Sequence, residues 1–234
     1  MARRYLSGGV IALALGAGSV LLRAQGDLHV LPVQGNVFLL ASPAGNTTVQ
    51  VGPEGPLLVD TQPAALSARV LELVATLSPR PIRHIVLTSG GDQQAGGAAN
   101  LAKAGRYIRV IDSVDPRGID ARSSIIAHIN VLNRMTVAKV PSESWPTDTY
   151  FVAEWSLFSN GEAVQLFHVP AAHSDGDTIV FFRRSDVVST GAIFDADTRA
   201  SIRREGAAST ASSRASTACS TSRSPARTRR EERW

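Results

Sequence analysis

The chain has 234 residues, enough for one domain with a sizeable core, and its hydrophobic fraction of 44% is ordinary for a globular protein. The net charge of +4 is unevenly placed: eight Arg and three Glu between Ser201 and Trp234 give that stretch +5 and leave −1 for the rest. The basic character therefore belongs to the tail, which argues against a nucleic-acid-binding body. Cys219 stands alone, so no internal disulfide can form.

The N-terminus reads as a secretory signal. Arg3 and Arg4 precede an apolar run from Val10 to Leu22, too short for a comfortable membrane span. Ala24 is the expected last signal residue, although Leu22 fits the small-residue preference two positions earlier poorly. The expected division is a signal over residues 1–24, a domain over 25–200 and a tail over 201–234. Export to the periplasm or medium follows, with no membrane attachment after cleavage. An uncleaved anchor is the competing reading.

Leu28 to Leu40 contains short apolar runs broken at Gly35-Asn36, which predicts two strands around a turn. Thr47 to Val51 and Pro56 to Val59 are further strands, separated by the turn Gly52-Pro53-Glu54-Gly55. Ala64 to Leu77 has helical periodicity through Leu66, Val70, Leu73 and Val74. Ile82 to Leu87 is a buried-type strand, Thr88 to Gly97 a loop, and Ala98 to Ala104 a helix stopped by Gly105. Ser124 to Met135 reads as one helix with His128 near its middle, where packing is the default role. Ala163 to Val169, Thr178 to Phe182 and Val187 to Thr190 are strands. This mixed order predicts a layered α/β sandwich.

Three loops can carry chemistry. Leu57-Leu58-Val59-Asp60-Thr61 sets a carboxylate at a strand tip, where a turn or cap role competes with function. Ile85-Val86-Leu87-Thr88 runs into Ser89-Gly90-Gly91-Asp92-Gln93-Gln94-Ala95-Gly96-Gly97, a polar loop able to present side chains or N–H groups. It lacks the Gly-Lys-Ser/Thr ending of a P-loop, and a flexible connector is the plain alternative. Pro170-Ala171-Ala172-His173-Ser174-Asp175-Gly176-Asp177 sets a His beside two carboxylates, as a metal ligand or proton-transfer pair would require. His29, His84 and His168 lie in strand-like runs and read as structural, and Asn46-Thr47-Thr48 reads as a turn rather than a glycosylation site.

In order and spacing, these loops, together with Ser189-Thr190-Gly191-Ala192-Ile193-Phe194, resemble the metallo-β-lactamase superfamily between Leu28 and Arg199. Ile126-Ala127-His128-Ile129-Asn130-Val131 and Trp145-Pro146-Thr147-Asp148-Thr149-Tyr150 are similar to segments of its periplasmic members. The resemblance implies an αββα sandwich of hydrolase ancestry with zinc held by loops at one edge. It also places the family's ligands. The His-x-His-x-Asp-His loop falls on Ser89, Gly91, Gln93 and Gln94, and the bridging Asp on Ala192, so five ligand positions are replaced and only His173 is kept. A catalytic zinc takes three protein ligands and a water. The expectation is a domain without zinc or other cofactor, and without the ancestral activity. Two alternatives stay open. One is an active metal-dependent hydrolase with a site rebuilt from His173, Asp175, Asp60 and Asp92. The other is a non-enzymatic periplasmic module that binds an unknown small molecule through Ser89 to Gly97.

From Ser201 the composition turns to Ser, Ala, Thr and Arg, which as written is low-complexity sequence. Read one base earlier, every TCN serine codon encodes Phe, Leu, Ile or Val. Apolar residues then fall at 209, 212, 213, 216, 219 and 220, the spacing of an amphipathic helix. The tail therefore reads as frame-shifted near Arg199. The C-terminal part of the sandwich is expected to be missing or disordered.

Overall fold

The computed structural model describes residues 28–106 and 122–194. The signal and tail assigned from sequence lie outside these residues.

The alternating apolar runs of the N-terminal part form an antiparallel meander of β1 (His29–Gln34), β2 (Val37–Ser42), β3 (Gly45–Gln50) and β4 (Leu57–Val59). A 3-10 turn (Ala64–Leu66) then leads into α1 (Ser67–Leu77), which returns the chain to β5 (His84–Val86), parallel to β4. The helices α2 (Asp92–Ala95) and α3 (Ala98–Ala104) follow, and β6 (Ser124–His128) pairs parallel with β5. After α4 (Ile129–Val137), β7 (Asp148–Tyr150) closes a seven-stranded sheet in the order β1-β2-β3-β4-β5-β6-β7. A second, antiparallel sheet has the order β11-β10-β9-β8, from β8 (Glu154–Ser159), β9 (Glu162–Val169), β10 (Asp177–Phe182) and β11 (Val187–Ser189). A 3-10 turn (Gly191–Ile193) ends the described chain.

Strand alternation divides the interior in two. Leu58, Ile85 and Ile125 pack with Val70 and Val74 of α1, Leu101 of α3, and Val131 and Met135 of α4. Their neighbours Leu57, Val86 and Ile126 face the other way, onto Val164, Leu166, Val180 and Phe182 of the second sheet. A side-chain period of two in strands buried on both faces produces this split. At the end of the sandwich away from the loops, Glu162 clasps the two sheets. It accepts from Gln50 Nε2 at 2.7 Å, Ser185 Oγ at 2.7 Å and the Arg184 and Ser185 amides at 2.8 and 3.0 Å. Burial alone would raise its pKa, but the bonds from Ser185, Gln50 and Arg184 outweigh burial and hold it below the usual carboxylate range.

Two sequence expectations change. Ser124 to Met135 is a strand followed by a helix, because Ser124–His128 is buried throughout and Ile125 and Ile126 serve opposite cores. Short apolar runs carry no period that separates strand from helix. Thr88 to Gly97 is also no plain loop, since it winds one helical turn at Asp92–Ala95. The strands β7 and β8 were not anticipated.

Candidate functional site

The four parallel strands β4 to β7 end at one edge of the first sheet. Ligands of open α/β sheets gather beyond such carboxyl ends. Asp60 follows β4, Thr88 and Ser89 follow β5, His128 ends β6 and Tyr150 ends β7. The start of β10 and the β9–β10 loop join them, since Thr178 N donates to Thr88 O at 3.0 Å and Asn130 Nδ2 to Asp175 O at 2.9 Å.

The Val-Asp-Thr tip and the Gly-Gly loop are laced together. Thr61 N and Oγ1 each donate to Gln94 O at 2.9 Å, and Gly97 N donates to Gln62 O at 2.8 Å. A Cβ on Gly97 would lie 2.8 Å from Thr61 O, so this approach requires glycine. Asp60 and Gln62 adopt the left-handed conformation, with φ of 64° and 58°. Gln62 is fully buried, donates to Leu40 O at 3.1 Å and accepts from Ser42 Oγ at 2.7 Å. These bonds hold a backbone conformation that a residue with a side chain rarely adopts.

Asp60 lies beneath the edge, 5% exposed, and is a clamp rather than an open base. Thr88 N donates to its Oδ1 at 2.8 Å, and Thr88 Oγ1 reaches Oδ2 at 2.7 Å. Burial pushes its pKa up to about 7, against the lowering effect of the Thr88 bonds and with a further push from Asp177. Gly191 covers Thr88 so closely that a Cβ there would fall 2.0 Å from Thr88 Oγ1, and its φ is +53°.

Three of the replaced ligand positions meet. Ser89 Oγ donates to Gln94 Oε1 at 3.3 Å, and a Cβ on Gly91 would lie 2.7 Å from the same oxygen. Gln93 instead packs on the β2–β3 turn, with its Cβ 3.4 Å from where a Cβ on Gly45 would stand. His173 is exposed in the β9–β10 loop, and Ala192 is half-buried in the last 3-10 turn.

Zinc takes thiolate, imidazole or carboxylate donors. Here a hydroxyl, an amide oxygen and a hydrogen atom stand at the three convergent positions. Among the described residues, no group of three or more His, Cys, Asp or Glu could hold a metal ion. The residues present do not fit zinc.

The carboxylates of the rebuilt-site reading are not brought together. Asp175 is engaged at the surface in an ion pair with Arg134. Asp92 is exposed in the first turn of α2, its carboxylate beside Gly96. Asp60 is enclosed by Thr88.

What sequence reasoning missed is a group of rings at the same edge. His128 and His168 are stacked with centroids 3.5 Å apart, and Tyr150 meets His128 edge-on at 5.2 Å. Tyr150 Oη shares a 2.7 Å hydrogen bond with Thr178 Oγ1, and burial pushes its pKa up to about 12 against that bond. Assigning His128 to a helix interior hid this group. Its signal was available in the placement of His128 at the end of a short apolar run ahead of Asn130.

A helix layer over a mixed seven-stranded sheet, backed by a second antiparallel sheet with loops gathered at one edge, defines a layered α/β sandwich. More narrowly, the fold is that of the metallo-β-lactamases, in a divergent form. A metallo-β-lactamase from Pontibacter korlensis matches over 69% of this chain and 70% of its own, with a TM-score of 0.52 and 13% identity. A Cronobacter sakazakii metallo-β-lactamase with a HARLDQ motif matches over 76% and 68%, with a TM-score of 0.55 and 15% identity. A double mutant of a sec-alkyl sulfatase matches over 70% of this chain but 31% of its own, with a TM-score of 0.55 and 12% identity. No protein-family model and no curated protein matches the sequence. At these identities the likeness concerns the fold, which hosts more than one chemistry.

Proposed function

We propose that this domain keeps a hydrolase fold without zinc-dependent hydrolysis, as a pseudoenzyme. The observation that carries this reading is the contact of Ser89 Oγ with Gln94 Oε1 beside Gly91, where the resemblance places three zinc ligands. Without metal, water keeps a pKa of about 15.7 instead of the roughly 7 reached on a catalytic zinc. Asp60, enclosed by Thr88, and Asp175, paired with Arg134, are poorly placed to replace that activation.

A binding role is the second reading. The exposed amide of Gln93 and the half-buried amide of Gln94, with Ser89 buried beneath, offer neutral donors and acceptors at the edge where such sheets take ligands, suited to a small uncharged polar molecule. The apolar run from Val10 to Leu22 supports export. No helix among the described residues is long and apolar enough to cross a membrane. The apolar spacing recovered one base earlier supports a frame-shifted tail beyond residue 200.

A panel of β-lactam, thioester and phosphodiester substrates, assayed with and without added zinc, tests the reading. We expect rates equal to buffer in both conditions. Turnover that appears with zinc and disappears with chelator would refute it.

A further inference from the structure

We propose that the stacked pair His128–His168 is a proton-operated latch that fastens the β9–β10 loop to the start of α4 and releases it in mild acid.

The hydrogen bonds assign the protons. His128 is the N-cap of α4, and its Nδ1 accepts from Asn130 N at 3.3 Å. Nδ1 must therefore carry the lone pair, which leaves the ring proton on Nε2. His168 Nε2 lies 2.8 Å from Asp175 O, and a carbonyl only accepts, so His168 carries its proton there. The same carbonyl accepts from Asn130 Nδ2 at 2.9 Å. Asn130 thus joins both halves: its amide is held by His128, and its side chain holds the loop next to His168. Arg134, one turn along α4, adds an ion pair to the Asp175 carboxylate.

Protonation attacks this arrangement at three points. An added proton on His128 has only Nδ1 to occupy, so the cap bond to Asn130 is lost. The new cation sits at the positive end of the helix dipole. It also faces His168 ring to ring, with an interplanar angle of 8° and centroids 3.5 Å apart. An added proton on His168 goes to Nδ1 and spares the bond to Asp175, but it charges the same stack. Two imidazolium rings cannot share that spacing without strong repulsion.

The groups facing the pair do not offset this. Tyr150 on β7 presents a ring edge to His128 and is neutral, and its hydroxyl is taken by Thr178 of β10. The Asp175 carboxylate attracts a proton to His128 but is already met by Arg134 of α4. Asp177, at the start of β10, is bound by Ser174 N and Oγ. Burial, followed by the charge of His168, keeps the His128 pKa below its ordinary value. The folded latch therefore binds fewer protons than the opened one. Its stability is complete above about pH 6.5 and falls as pH drops toward the depressed value.

What the latch holds is the segment bearing His173 and Asp175, beside the strand ends of the candidate site. Release would expose that edge in mild acid and cover it at neutral pH. The inference stands independently of whether the edge binds zinc.

Amide hydrogen exchange and imidazole NMR of the full chain from pH 8 to 5 test it. We expect His128 to titrate below its ordinary range, in step with the loss of Asn130 protection. We also expect the protection factor of the Asn130 amide to fall by about tenfold or more as its cap bond is lost. His128→Asn keeps a short cap acceptor that does not titrate, and His168→Gln keeps a donor for Asp175 without a charge. Both should hold the Asn130 protection factor constant across the range. Titration of His128 at its ordinary value with constant Asn130 protection in the parent would overturn the proposal. So would a fall that persists in both variants, which would assign it to another group such as His84. If either variant fails to fold, the His128 titration and the Asn130 protection of the parent decide.

Discussion

Asp60→Asn will reveal a rise in stability of about 3 kcal/mol between pH 4 and pH 6.5 that the parent protein largely conceals. Two buried groups titrate in opposite senses over that window. Asp60 has its pKa raised from 3.8 to about 7, mainly by burial. The folded state holds its proton more tightly than the unfolded chain does. Its contribution is therefore complete below pH 3.8 and is lost as pH rises to about 7, at a cost of about 4 kcal/mol. His84 is lowered from 6.5 to about 4, first by burial and then by Arg83, with Asp148 opposing. The folded state binds its proton less tightly, so stability is complete above pH 6.5 and about 3 kcal/mol is lost as pH falls to about 4. Between those limits the two slopes offset each other.

Asn at position 60 removes one slope. Its amide oxygen can still accept from Thr88 N, now 2.8 Å from Oδ1, and Thr88 Oγ1 can turn to accept from the amide nitrogen. Above pH 7 the variant should be more stable than the parent by an amount on the order of 4 kcal/mol, because no buried charge remains to be solvated. Urea unfolding at unit pH intervals from 4 to 8 measures both effects. Parallel profiles for parent and variant would mean that Asp60 titrates as an ordinary carboxylate.

The second large effect is a gain of metal. Replacing Ser89→His, Gly91→His, Gln93→Asp, Gln94→His and Ala192→Asp together should give a chain that takes up at least one zinc. Positions 89, 91 and 94 already converge, and the group that a Gly91 side chain would meet is the Gln94 amide that the substitution removes. Gly91 has a φ of −70°, so a side chain there costs no backbone strain. At free zinc a thousandfold above the dissociation constant, binding would stabilise the variant by about 4 kcal/mol. Equilibrium dialysis and the shift of Tm with zinc measure it. A folded variant that stays empty would show that the loop no longer brings these positions to ligand spacing.

The sequence made the meander, the strand tip at Asp60 and the Gly-Gly loop legible because each has its own local cause. Alternation marks a half-buried strand, and Gly97 meets Thr61 O too closely for any side chain. The turn Asn160-Gly161 between β8 and β9, with φ of 51° and 83°, is an equally local hairpin signal. Other features depend on distant neighbours. Whether Ser124–His128 is strand or helix is decided by pairing with β5 and by the two cores it serves. The state of Asp60 depends on burial beneath Thr88, and the stack of His128 on His168 joins residues forty positions apart. No local pattern encodes either one. The replaced ligands were the clearest functional statement in the sequence, since the donor chemistry of Ser89, Gly91 and Gln94 can be read without coordinates.

The most direct test is zinc per chain, by elemental analysis of folded protein purified in the presence of zinc. We expect a value near zero, with circular dichroism showing intact helix and strand. One zinc or more per folded chain would contradict the reading of this edge as unfit for metal, and would return the domain to the search for a hydrolase substrate.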